Sequence, residues 1–388
     1  MEHVIESVLL AGGGTAGHVN PLLAVADEIM ATSPGASVTV LGTREGLEAD
    51  LVPARGYPLA IVPRVPMPRR PTLDWLRLPG RLRAAVRAAG AAIDESGAQV
   101  VVGFGGYVST PAYLAARRRG VPVVIHEQNT RAGLANRLGA RWARSVAVTF
   151  PATELRGAQV TGLPLRREIA SLVAERARSA AGSRAQAAQA LGLDADRPVV
   201  LVTGGSLGAQ RLNETFAALA PELVAAGVQV LHLTGKGKDT PVRAVVAALP
   251  AEHQVDYQVR EYLSEMHLGY AVADLVVCRA GAGTVCELAA LGLPAVYVPL
   301  PVGNGEQRLN AAPVTGAGGG ILVSDADFTP AWARSTVLPL LADAAALQAM
   351  GSAARGAGVT DAAAKVVALI NDAADAAGTA AADEAGTR

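Results

Sequence analysis

Residues 274–310 read DLVVCRAGAGTVCELAALGLPAVYVPLPVGNGEQRLN. The apolar run Leu275 to Cys278 has the length and content of a short buried strand. It breaks into Arg279-Ala280-Gly281-Ala282-Gly283, a turn whose small residues let a ligand approach the backbone. A helix is expected from Thr284, with unpaired N–H groups at its start and Glu287 one turn in. Ala295 to Val298 reads as the next strand, and a Pro- and Gly-rich loop, Pro299 to Gly305, leads on to Glu306-Gln307. Strand, turn, helix, strand is the repeating unit of a parallel α/β sheet. A helix start offers N–H donors and a positive dipole end to anionic oxygens. A carboxylate such as Glu287 can accept from a ribose diol, and Gln307 can both donate to and accept from sugar hydroxyls. A plain strand–turn–helix with a solvated Glu287 explains the same letters. The neighbouring Glu306-Gln307 tips the balance toward a nucleotide-sugar site.

The composition sets outer limits. A chain of 388 residues has room for two domains with full cores. Hydrophobic residues make up 51% and aromatics only 4%, so Ala, Val and Leu must fill those cores. A net charge of zero argues against a general nucleic-acid binder. Cys278 and Cys286 match no zinc spacing and read as small core residues, reduced in a cytosolic chain. The N-terminus, MEHVIESVLLAGGG, runs from acids into an apolar stretch and a glycine turn, a first strand and not a signal peptide. No stretch approaches the roughly 20 apolar residues that a spanning helix needs. The expected location is therefore the cytosol or a membrane surface.

The same strand–glycine–helix grammar recurs on either side. Val4 to Leu10 enters Gly12-Gly13-Gly14-Thr15-Ala16-Gly17-His18, which satisfies GxGxxG in the right context and makes a dinucleotide site the first rival. Against it, the strand Ser37 to Leu41 ends in Gly42-Thr43-Arg44, with no acid to hold a ribose diol. His18 stands at the helix mouth, where it serves either as a general base or as a helix cap. Gly103 to Ser109 is a second glycine turn, and the strand Val121 to Ile125 ends in the polar tip His126-Glu127-Gln128-Asn129. Polar tips of parallel strands are where open α/β sheets place ligands. Asn129 suits a sugar hydroxyl, while His126 and Glu127 can orient the loop. In the second half, Val199 to Val202 runs into Thr203-Gly204-Gly205-Ser206, a diphosphate cradle by the same logic. Between Pro66 and Arg83, Trp75, Leu76 and Leu78 sit among Arg69, Arg70, Arg77, Arg81 and Arg83. That mixture suits an anionic membrane surface, or an amphipathic helix with a basic solvated face. The triplets Asp194/Asp196 and Asp325/Asp327 read as turn aspartates before they read as metal ligands.

Taken together, Gly13 to His18, Gly105-Gly106-Tyr107, His126 to Asn129, Gly204 to Ser206, Arg279 to Glu287 and Glu306-Gln307 resemble the bacterial peptidoglycan N-acetylglucosaminyltransferase family that converts lipid I to lipid II. These segments run in order from about Val4 to Ala311. The resemblance implies a GT-B fold, two Rossmann-like doubly wound parallel-sheet domains facing across a cleft. It implies inverting transfer of GlcNAc from UDP-GlcNAc to the C4 hydroxyl of undecaprenyl-diphospho-MurNAc-pentapeptide. No cofactor is expected to be required for such a displacement, with a divalent metal left open. Ser206, Leu263 (by backbone), Ala282, Gly283, Thr284, Glu287 and Gln307 would hold the donor, with Asn129 and Arg166 reaching it from the first domain. Thr15, Ala16 and Gly17 would line the diphosphate or acceptor side, and His18 would be the base. Two positions depart from the family pattern. Glu306 stands where many members carry a second glutamine, and Leu163 where Asn is common before the proline. The expected domains are 1–164 facing acceptor and membrane, a connector at 165–192, and a UDP-GlcNAc domain at 193–340. Helices at 341–371 are expected to pack back on the first domain, and 372–388 to be a disordered tail. The implied setting is the cytoplasmic face of the cell membrane, peripherally bound through Trp75 and its arginines, with room for a cell-wall synthesis complex as a further partner. A UDP-GlcNAc 2-epimerase-like enzyme, another lipid glycosyltransferase and a non-catalytic nucleotide-sugar sensor are the alternatives.

Overall fold

The computed structural model describes residues 5–65, 74–205 and 208–386. The chain divides into two compact units, Met1–Arg167 with Asp361–Arg388, and Glu168–Thr360. The first is built on β1 (Ser7–Ala11), β2 (Ser37–Gly42), β3 (Leu59–Ile61), β4 (Val100–Gly103), β5 (Val123–Glu127), β6 (Ser145–Val148) and β7 (Ala158–Val160). These strands lie in the order β3-β2-β1-β4-β5-β6-β7, all parallel. The second holds β8 (Val199–Thr203), β9 (Gln229–Leu233), β10 (Tyr257–Arg260), β11 (Leu275–Cys278), β12 (Ala295–Tyr297) and β13 (Gly320–Leu322). Its order, β10-β9-β8-β11-β12-β13, is again wholly parallel.

Both orders turn around at the first strand of their unit, so each sheet has one switch point, between β1 and β4 and between β8 and β11. Ligands of open α/β sheets bind at that point, outside the carboxyl ends of the strands. Helices cover both faces, which is why β1, β4, β8 and β11 read as unbroken apolar runs and are buried throughout. Leu201, at 0% exposure, is typical of the second core; trimming such a leucine to alanine costs about 2–5 kcal/mol.

Several boundaries differ from the sequence expectation. The expected connector is the helix Arg167–Leu191, kinked at Ser179, and its Ile169, Leu172, Ala187, Ala188 and Leu191 belong to a core of the second unit. Apolar spacing along that helix, hidden in an Ala-rich run, makes it structural. The helices expected at 341–371 do not share one destination. Ala344–Ala357 lies in the second unit, with Ala354 in the same core as β11 and β12. Asp343 caps this helix, its side chain accepting from the Ala346 N–H. The next helix sends Val366, Val367, Leu369 and Ile370 into the core around β1 of the first unit. That helix runs from Ala362 to Gly386, so the expected tail is mostly helical. Alanine, the strongest helix former, supplies the propensity there without large side chains.

Candidate functional site

In the first unit, β1 delivers the turn Gly12 to Gly14 and the helix Ala16–Thr32 follows. Thr15 is extended at its N-cap and makes no side-chain cap bond, and residues 14–17 are exposed. The helix therefore presents its first N–H groups outward, as an anion-facing helix start does. His18 lies one turn inside. Its Nδ1 is 3.2 Å from the Gly13 carbonyl oxygen and 3.0 Å from Thr15 Oγ1. Burial pushes its pKa below the usual histidine value, against the raising effects of the Gly13 carbonyl and the Glu48 charge. The imidazole is therefore biased to the neutral form that a base needs.

Glu48 is the residue that sequence reasoning missed. An acid does stand at the tip of β2, but it comes from the following helix, Glu48–Ala54, and it is fully buried. One carboxylate oxygen accepts the Thr43 N–H at 2.9 Å and hydroxyl at 2.8 Å, and the other accepts the Gly14 N–H at 2.8 Å. Burial raises its pKa, but these bonds outweigh burial and hold it below the normal carboxylate value. Gly13, Gly42 and Gly46 close around it, and a Cβ on any of them would collide with the Glu48 side chain. The sequence shows these three glycines but not that they surround one side chain, which depends on the pairing of β1 with β2. Beside this group lies a small cavity lined by Gly13, Gly14, Thr43, Glu48, Arg64 and Tyr107. The Arg64 guanidinium sits 5.4 Å from the Tyr107 ring centre.

Across the switch point, Gly105 and Gly106 follow β4, and Ser109 fixes them by accepting the Gly105 N–H and donating to the Ala11 or Gly105 carbonyl. The tip of β5 is rigid. His126 is buried, its Nε2 meets the Gly162 carbonyl at 2.9 Å, and burial depresses its pKa to about 4. Glu127 accepts the N–H groups of Asn129 and Gly133, and Asn136 donates to Glu127 and to the His126 carbonyl. Asn129 is thus presented by a braced loop, and the His126–Gly162 bond draws the segment leading to Arg166 toward the same sheet end. Both Asn129 and Arg166 are half-buried.

In the second unit, the helix Ala282–Leu291 begins two residues earlier than the sequence suggests. Gly281 is extended at its N-cap and no side chain caps it, so the N–H groups of Ala282, Gly283 and Thr284 open the helix. Glu287 is 7% exposed, one turn along. Gln307 braces this region from behind. Its Oε1 accepts the Ala280 N–H at 3.2 Å and the Leu300 N–H at 2.9 Å, pinning the turn after β11 to the loop after β12. The NH2 end of Gln307 has no partner among the described residues, and it is the end left for a ligand. Arg279 reinforces the same loop through the Val298 and Pro299 carbonyls and pairs with Asp325 at 2.6 Å. Leu263 buries its side chain in the core, which anchors the backbone of its loop. Ser206 lies outside the described residues, as do residues 66–73 and the side chain of Trp75. The acidic triplets are turns: Asp194 accepts the Asp196 N–H, and Asp327 accepts the Ser324 hydroxyl.

Two family models cover most of the chain, the glycosyltransferase family 28 N-terminal domain over residues 8–148 and its C-terminal domain over 199–366. A protein of a Nocardioides species, named UDP-N-acetylglucosamine–N-acetylmuramyl-(pentapeptide) pyrophosphoryl-undecaprenol N-acetylglucosamine transferase, is 57% identical over 89% of this chain and 92% of its own. The chain belongs to this transferase family. A Frankia casuarinae member with the same name is 55% identical over 96% of both chains. Among solved structures, Acinetobacter baumannii MurG aligns with a TM-score of 0.74 at 30% identity, covering 95% of this chain and 99% of that one. The paired parallel sheets are accordingly the GT-B fold of the family. Residues Gly13 to Gln307, which carry both switch points, fall within the aligned span of the family, apart from the stretch 149–198 between the two models.

Proposed function

We propose that the chain transfers N-acetylglucosamine from UDP-GlcNAc to the C4 hydroxyl of undecaprenyl-diphospho-MurNAc-pentapeptide, with inversion at the anomeric carbon. The observation that carries this reading is the uncapped start of the helix Ala282–Leu291 at the β8/β11 switch point, with Glu287 one turn in and the Gln307 amide fixing the turn before it. Ala282, Gly283 and Thr284 meet the donor diphosphate with N–H groups, Glu287 takes the ribose diol, and the Gln307 NH2 donates to a sugar hydroxyl. Ser206 and the Leu263 backbone complete the donor side, and Asn129 and Arg166 keep the donor role that the family pattern implies. Thr15, Ala16 and Gly17 line the diphosphate or acceptor side.

The chemistry is one displacement. The acceptor hydroxyl oxygen attacks C1 of the donor sugar, its proton passes to His18 Nε2, and the C1–O bond breaks with its electron pair leaving on UDP. Donors already aimed at that growing charge contribute a few kcal/mol, the kind of stabilisation that a divalent metal would otherwise supply. The basic segment beginning near Arg69 and continuing into the helix Asp74–Ser96 docks the protein on the anionic cytoplasmic membrane surface. Among the described residues no single helix is long and apolar enough to cross a membrane.

The test is transfer of radiolabelled GlcNAc from UDP-GlcNAc to a lipid I analogue with EDTA present. Label in the organic phase is expected. Free UDP or epimerised donor without lipid product would overturn the reading in favour of an epimerase-like enzyme. Co-sedimentation with vesicles should rise with anionic lipid and fall in an Arg81→Ala/Arg83→Ala variant. Binding indifferent to both would remove the docking role.

A further inference from the structure

Glu48 is a fully buried carboxylate that the reaction scheme does not use, and its location is specific. One of its oxygens accepts the Gly14 N–H at 2.8 Å, and His18 Nδ1 lies 3.2 Å from the Gly13 carbonyl oxygen. The Gly13 carbonyl and the Gly14 N–H belong to one peptide group. We propose that Glu48 is a positioning residue for His18, acting through that single peptide: the carboxylate takes its N–H, its carbonyl takes the imidazole Nδ1–H, and Nε2 is left unprotonated to receive the acceptor's proton.

The direction of each bond follows from what its partners can do. A carbonyl oxygen only accepts, so the contact with Gly13 is a hydrogen bond only when Nδ1 carries the proton. Thr15 Oγ1 can serve as either partner and is compatible with that tautomer. A carboxylate bonded to a peptide N–H polarises the amide, places more negative charge on its carbonyl oxygen and makes it a better acceptor. When the acceptor hydroxyl hands its proton to Nε2, the imidazolium forms beside a buried negative charge that is already fixed by three hydrogen bonds. The remaining charged groups lining this pocket are Glu45 and Arg64, with Tyr107 as a further titratable side chain. Of the charged groups, Glu48 is the one whose charge acts on the imidazole. An amide at this position cannot replace the carboxylate, because Gly14 and Thr43 donate to different oxygens and an amide would turn its NH2 toward one of those N–H groups.

The inference rests on His18 being the base, and its test separates the two. Histidine-labelled protein examined by 15N NMR, with His18→Ala to assign the resonance, reads which ring nitrogen carries the proton and where the ring titrates. The wild type should show the Nδ1–H form. Glu48→Gln should titrate lower by at least about half a unit, a fraction of what a directly contacting opposite charge produces. Its kcat should fall about tenfold to a hundredfold with the KM for UDP-GlcNAc unchanged, and the acid limb of its kcat/KM profile should move to lower pH. A merely structural Glu48 would lower turnover without moving that limb. An Nε2–H form in the wild type, or an unmoved titration in folded Glu48→Gln, overturns the proposal. If Glu48→Gln does not fold, the wild-type tautomer decides. Full turnover by His18→Ala would remove the base while leaving the tautomer result to judge the link.

Discussion

The turn after β1 and the turn after β11 are written in the same grammar, apolar strand, small residues, uncapped helix, yet each is held from behind by a different group. Behind the first stands a buried carboxylate, Glu48, bonded to Gly14 and Thr43. Behind the second stands a neutral amide, Gln307, bonded to Ala280 and Leu300. The chemistry divides accordingly. A negative charge beside His18 stabilises an imidazolium and suits proton transfer. A neutral brace leaves the helix start at Ala282 free to attract a diphosphate without repelling it. On the proposed function, two similar turns become a base site and an anion site through a residue that neither turn contains.

The largest effect expected from that division is at His18. His18→Ala should lower kcat by about 10²–10⁴-fold while UDP-GlcNAc affinity, measured by calorimetry, stays near wild type. Unchanged turnover would remove the base from the first turn. Next comes Gly106→Ala. A Cβ there meets the Gly13 carbonyl oxygen at 2.6 Å, and the residue sits at φ +80°, where a side chain is strained. The strain costs about 1–3 kcal/mol, and displacement of the Gly13 carbonyl should lower turnover about tenfold or more. A variant as stable and as active as wild type would mean that the two glycine turns do not support each other. On the second side, Gln307→Ala should raise the KM for UDP-GlcNAc about tenfold, because two backbone N–H groups lose their acceptor, with kcat changed less.

Smaller effects compare the two cores. His232 is buried between Tyr257 and Asn213, and burial lowers its pKa to about 3. The unfolded chain binds a proton there below about 6.5 while the folded chain does not, so stability falls as pH drops from that value toward about 3, by up to about 1.4 kcal/mol per pH unit. His126 does the same in the first unit down to about 4. Thermal midpoints of wild type should therefore fall between about pH 7 and pH 5, and His232→Gln should lose part of that slope. Equal slopes would contradict a neutral His232. Least of all, Asp194→Asn keeps an acceptor for the Asp196 N–H and should alter stability by no more than about 0.5 kcal/mol, with EDTA-treated activity unchanged.

The fold was legible because parallel strands buried on both faces leave unbroken apolar runs, each ending in glycines where a helix begins. The strand at Tyr257–Arg260 was not, since its alternation of Tyr257, Gln258, Val259 and Arg260 half-hides it at a sheet edge. The site residues that sit on turns could be named from local pattern. Those that brace the turns could not. Glu48 lies 34 positions from Gly14, and the pairing depends on how β1 and β2 lie side by side. Asn136, which joins His126, Glu127 and Tyr113, has the same long-range character. In sequence the helix Arg167–Leu191 reads as a connector because alanines conceal its apolar face.

The division between base side and donor side is tested most directly by measuring UDP-GlcNAc binding and single-turnover transfer to a lipid I analogue in His18→Ala and Gln307→Ala side by side. His18→Ala should bind donor normally and fail to transfer it, while Gln307→Ala should bind weakly and transfer what it binds. Loss of donor binding in His18→Ala, or intact binding in Gln307→Ala, would contradict it.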